Sequence, residues 1–77
     1  MKILLTGGAG YIGSHVLLSI IENKHEVIVI DDLSTGNKNL IPENIKLINT
    51  NINNSEKISN LLVEENFDLL LHFAGFI

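Results

Sequence analysis

The chain has 77 residues and a mass of 8.5 kDa, enough for one small hydrophobic core and too little for a second domain. Hydrophobic residues make up 45% of it, charged residues 18%, and there is a single proline, a balance that favours a packed globular unit over a disordered one. The absence of cysteine excludes a disulfide framework and thiolate metal sites, and five lysines, no arginine, nine acids and a net charge of −4 exclude the basic footprint of a nucleic-acid binder.

From the amino terminus, Lys2-Ile3-Leu4-Leu5-Thr6 is an apolar run closed by glycine, the pattern of a strand buried on both faces of a parallel sheet. The run is too short for a signal segment, and nothing later approaches the roughly 20 apolar residues of a membrane span. A soluble, cytoplasmic chain is therefore expected. From Tyr11 to about Asn23 the apolar positions Ile12, Val16, Leu17, Ile20 and Ile21 recur at helical spacing, and Lys24 and His25 are expected to close that helix. Residues 26 to 31, β-branched and ending on an acid, predict a second parallel strand. Asp32 to Asn37 carries turn chemistry, and Pro42 limits any helix before the next strand to a turn or so. A third strand is predicted from Ile45 to Asn49 or Thr50. Asn54 or Ser55 then caps a helix from about residue 56 to 66, with Ile58, Leu61 and Leu62 as its inner face. Residues 68 to 73 form a fourth apolar strand.

Strands alternating with helical patterns predict an α/β fold with right-handed crossovers and a parallel sheet in the order 3-2-1-4. That is the first half of a doubly wound Rossmann fold plus the strand across its switch point, where ligands sit at the carboxyl ends of the strands. The fourth strand would leave an apolar edge unpaired just where the chain stops, so the sequence reads as part of a longer protein.

Gly7-Gly8-Ala9-Gly10-Tyr11-Ile12-Gly13 stands where a strand hands over to a helix. In such a loop Gly7 permits the tight turn, Gly10 lets backbone approach a diphosphate, and Gly13 lets the helix pack closely, while the amides around Tyr11 and Ile12 point at the anion. A Walker-type loop is excluded because Ser14-His15, not Lys-Ser or Lys-Thr, follows the last glycine. Asp31 ends the second strand 18 residues after Gly13, close to the roughly 20 expected of the acid that holds the adenosine ribose hydroxyls. Strand, loop, helix, strand and acid together predict a dinucleotide site. Asp31, joined by Asp32 and accompanied by no arginine, would repel a 2′-phosphate and so favours NAD over NADP. Asp32 reads equally well as a solvated turn residue.

With the loop in the form Thr6-Gly7-Gly8-Ala9-Gly10-Tyr11-Ile12-Gly13-Ser14-His15, with Asp31-Asp32-Leu33-Ser34-Thr35-Gly36, and with His72-Phe73-Ala74-Gly75, the sequence resembles the extended short-chain dehydrogenase/reductases. Within them it is most similar to the UDP-glucose 4-epimerase family, over nearly all its length. Those enzymes are several times longer, so the resemblance implies the amino-terminal, NAD-binding part of a homodimeric enzyme that acts on a UDP-hexose. It further implies that Tyr11 and Ile12 meet the diphosphate and that Asp31, Asp32, Leu33, Ser34, Thr35 and Gly36 surround the adenosine ribose and its phosphate. Asn51 and Ile52 would flank the adenine, and Phe73, Ala74 and Gly75 would run beneath the cofactor toward the nicotinamide. Two departures stand out: members often carry aspartate at the position of Asn51 and lysine at that of Ile77.

The family oxidises C4 of the sugar with tightly held NAD, lets the ketose turn over and returns the hydride. Its catalytic Tyr-x-x-x-Lys pair and neighbouring Ser/Thr do not occur here, since Tyr11 is the only tyrosine and His15 stands four places on. No catalytic residue is assigned, and the chain alone is expected to bind NAD weakly or not at all and to show no epimerase activity. His15, His25 and His72 are too scattered for a metal site, although His15 could help to orient the glycine loop. Two readings stay open: the NAD-binding portion of this or a related nucleotide-sugar epimerase or dehydratase, and a stand-alone dinucleotide sensor without turnover. Fold alone does not separate them.

Overall fold

A computed structural model describes residues 1–34, 36–51 and 53–73. The elements run β1 (Lys2–Thr6), α1 (Tyr11–Glu22), β2 (Glu26–Ile30), a 3-10 turn (Lys38–Leu40), β3 (Lys46–Ile48), α2 (Ser55–Glu64) and β4 (Leu69–His72). All pairings are parallel and the sheet order is β3-β2-β1-β4, as predicted. The register aligns Thr6 with Ile30 on one side and His72 on the other, and Ile30 with Ile48, so the carboxyl ends of all four strands meet along one edge.

Alternate side chains of the central strands serve two cores. Ile3 and Leu5 pack with Leu17, Ile20, Val27 and Val29 beneath α1, whereas Leu4 packs with Ile28, Ile30 and Leu61 beneath α2. Covering both faces is what makes β1 and β2 read as unbroken apolar runs. β4 lies at the edge of the sheet, with Leu69 and Leu70 exposed. Among the described residues no helix is long and apolar enough to cross a membrane.

Several expected boundaries and faces shift for local reasons. α1 ends at Glu22 with Asn23 as its cap, and Lys24 and His25 close it as expected: Lys24 takes a left-handed φ of 62° and donates to the Ile21 carbonyl, and His25 donates to that of Ile20. This is the closure that glycine usually supplies. The buried face of α1 is Gly13, Ser14, Leu17 and Ile20, while Ile12, expected inside, is 61% exposed. The helix is turned so that its glycine makes the close approach. β3 starts at Lys46 because the Ile45 N–H is spent on the Pro42 carbonyl. In α2 Leu62 is 48% exposed, and the inner face is Leu61 with Ile58, joined by Phe67 from beyond the helix. α2 stops at Glu64 because Glu65 is extended, its carboxylate meeting Lys2 Nζ at 2.5 Å.

Asn54 caps α2, its side-chain oxygen accepting the Lys57 N–H at 3.2 Å. Asn54→Ala is expected to destabilise the chain by about 1 kcal/mol, measured as a lowered urea midpoint at unchanged slope. A midpoint equal to that of the parent would remove Asn54 from the cap.

Candidate functional site

The glycine loop folds as it does because its backbone bonds turn it tightly over the carboxyl edge of the sheet. Gly7 donates to the Ile30 carbonyl at 2.8 Å and accepts from Gly10 at 3.1 Å, with a φ of 75° that favours glycine. A Cβ on Gly13 would run into the Gly7 carbonyl oxygen and lie 2.9 Å from its carbon, so α1 begins pressed onto the loop itself, not onto the strand. Gly10 differs: a Cβ there would meet only the Gly7 oxygen, at 3.4 Å. Packing within the protein leaves room at Gly10, which is among the residues that line the cleft at the start of α1.

The start of α1 keeps its hydrogen-bonding capacity. Gly10 caps it with no side chain, there is no acid in the first turn, and the Tyr11, Ile12 and Gly13 N–H groups have no acceptor among the described residues. α2 presents the contrast, closing its own start with Asn54 and placing Glu56 in the first turn. A bare helix start combines free donors with the positive end of the helix dipole, and together these attract an anion. It faces an open cleft of about 540 Å³ lined by Gly7, Gly10, Tyr11, Ile12, Gly13, His72 and Phe73. Tyr11, 80% exposed, stands at the mouth with its ring 4.8 Å from that of His15, whose Nδ1–H donates to the Tyr11 carbonyl.

Asp31 joins the loop to the segment after β2. Its carboxylate accepts the Ala9 N–H at 2.9 Å and, through the other oxygen, the Leu33 N–H at 2.8 Å. Leu33 takes a left-handed φ of 63° in turning the chain back. Gly36 then lies so close to Ala9 that a Cβ on it would be 2.8 Å from the Ala9 methyl, and the Asn37 N–H donates to the Ala9 carbonyl at 2.9 Å. Each Asp31 oxygen retains a lone pair for a further donor. Asp32 accepts from the Ser34 N–H at 3.0 Å and from Asn51 Nδ2 at 3.1 Å. The Ser34 backbone donor first, then the Ser34 hydroxyl and the Asn51 amide, hold the Asp32 carboxyl below the usual range against partial desolvation. The Asn51 oxygen accepts the Asn53 N–H at 2.8 Å.

The predicted residues Gly7, Gly10, Tyr11, Ile12, Gly13 and Phe73 thus come together at one cleft; Asp31, Leu33 and Gly36 do not line it, Asp31 and Gly36 meeting the loop at Ala9 and Leu33 bonding to Asp31, while Asp32, Ser34 and Asn51 are bonded to one another. Thr35, Ile52, Ala74 and Gly75 lie outside the described residues. Sequence reasoning missed Ala9, which works through its backbone, and His72, whose Nδ1 is 2.6 Å from Thr6 Oγ1 at the cleft wall. The one available signal was that these two polar residues end strands predicted to be neighbours.

The NAD dependent epimerase/dehydratase family model matches residues 3–77. The chain belongs to this family. The UDP-glucose 4-epimerase of Corynebacterium glutamicum is 40% identical over 75 residues, which are 97% of this chain and 22% of the relative. The putative UDP-glucose 4-epimerase of Methanocaldococcus jannaschii is 48% identical over 54 residues, 70% of this chain and 18% of the relative. Among solved structures, the Thermotoga maritima UDP-glucose 4-epimerase with UDP-glucose superposes with a TM-score of 0.93 at 37% identity, covering 99% of this chain and 25% of that one. The Thermus thermophilus enzyme in complex with NAD gives 0.89 at 31% identity, covering 96% and 24%. This family member therefore has the Rossmann fold of those enzymes and spans about a quarter or less of their length.

Proposed function

We propose that the chain is the amino-terminal, NAD-holding part of a UDP-glucose 4-epimerase. The observation that carries this is the unclosed start of α1, whose three donors face the cleft, with the Asp31 carboxylate bonded to the loop that leads into the helix. The residues fit the cofactor: Gly10 lines the cleft where an added Cβ would meet little of the protein, and the donor set suits a diphosphate. In this reading the Tyr11 and Ile12 amides bind the diphosphate over Gly7, Gly10 and Gly13. Asp31 takes the ribose hydroxyls with its remaining lone pairs, supported by Asp32, Leu33, Ser34, Thr35 and Gly36. Asn51 and Ile52 flank the adenine, and Phe73, Ala74 and Gly75 lead toward the nicotinamide. Bound NAD would supply the hydride acceptor for C4 of a UDP-hexose. These residues bind and orient the cofactor and move no proton. The reading places the complete enzyme in the cytoplasm as a homodimer.

To test it, this chain replaces the matching quarter of the Thermotoga maritima enzyme. The chimera is expected to purify with NAD and to interconvert UDP-glucose and UDP-galactose. A chimera that folds, as judged by cooperative unfolding, yet holds no NAD would overturn the reading.

A further inference from the structure

One side-chain bridge joins the loops that follow β2 and β3. Asn51 Nδ2 donates to Asp32 Oδ2 at 3.1 Å, while the Asn51 oxygen accepts from Asn53 at 2.8 Å, so the carboxamide is held at both ends. The other Asp32 oxygen accepts from Ser34 at 3.0 Å, and no oxygen of this carboxylate is left to swing freely. Asp32 directly follows Asp31, whose own oxygens are aimed at the glycine loop and at Leu33. The chain has no arginine, and the one ion pair among the described residues is Lys2 with Glu65, at the opposite end of β1. Two carboxylates therefore stand at the end of β2 with no cation paired to either. An exposed carboxylate without such a tether would sample solvent and be screened there.

We propose that Asn51 is a specificity-positioning residue: by tethering Asp32 to the end of β3 it fixes a second negative charge beside the adenosine ribose, and so excludes dinucleotides that carry a 2′-phosphate. The proposal rests on the nucleotide reading above. Repulsion between like charges held close together at a protein surface is enough for about tenfold discrimination. Position 51 thereby acts on the ribose end of the ligand through Asp32, and its carboxamide oxygen is already engaged on the protein side.

The test titrates the chimera described above, stripped of bound nucleotide, with NAD and with NADP, reading each affinity by calorimetry. NAD is expected to bind at least about tenfold more tightly than NADP. Asn51→Leu should cut that ratio about threefold or more, Asp32→Asn at least as far, and the double variant no further than Asp32→Asn alone. A purely structural role for Asn51 would weaken both ligands together and leave the ratio unchanged, which overturns the proposal. So does an effect of Asn51→Leu that persists in the Asp32→Asn background. In both cases NAD still binds and the nucleotide reading stands; a folded chimera that binds neither dinucleotide overturns both.

Discussion

Asp31→Ala is expected to weaken NAD binding by roughly 1 to 3 kcal/mol, from the loss of a charge-assisted pair to the ribose, and to destabilise the free chain as well. The second effect comes from the structure. Ala9 is fully buried, and its N–H donates to the Asp31 carboxylate. Without that acceptor a buried donor is orphaned, at a cost of about 1 to 3 kcal/mol. Asp31→Asn is not a mild substitute. Both native oxygens accept backbone N–H groups, so the new amide nitrogen must face either Ala9 or Leu33, donor against donor. Thermal unfolding of the free chain and NAD titration separate the two contributions. Unchanged NAD affinity would remove Asp31 from the site, and unchanged stability would remove it from the loop.

Gly13→Ala should be the most damaging small substitution in the loop. The added methyl meets the Gly7 carbonyl and approaches Gly8 Cα at 3.1 Å, and these are backbone atoms that no rotamer change can clear. Lifting α1 off the loop is expected to destabilise by roughly 3 kcal/mol, the upper range for overpacking, which outweighs the gain of about 1 kcal/mol from alanine's helix propensity. Gly10→Ala is the informative contrast. Its methyl fits the protein, so stability should fall only by the poorer capping, about 0.5 to 1 kcal/mol, while NAD affinity falls because the methyl occupies the cleft side. Equal destabilisation by the two variants in urea would mean that Gly10 serves packing rather than a ligand.

The sheet order and the glycine loop were legible because each has a local cause. Two-sided burial writes β1 and β2 as apolar runs, and a strand-to-helix turn that tight demands glycine. The end of α1 was legible at Lys24 and His25, but the left-handed turn at Lys24 was not, because its side chain does not announce it. The inner face of α2 was misjudged at Leu62, which is exposed, while Phe67 from beyond the helix packs with Ile58 against the Leu61 cluster, a long-range contact that helical periodicity does not show. At the site the residue types were readable and their bonds were not. The grip of Asp31 on Ala9 joins residues 22 apart, that of Asn51 on Asp32 residues 19 apart, and that of Thr6 on His72 residues 66 apart, and each follows from the register of parallel strands rather than from spacing.

Hydrogen–deuterium exchange of the chimera with and without NAD locates the cofactor residue by residue. Protection is expected at Gly10, Tyr11 and Ile12 and from Asp31 to Ser34, with α2 unchanged. Protection centred on α2, or none in this quarter of the protein although NAD is bound, would remove the dinucleotide from the glycine loop.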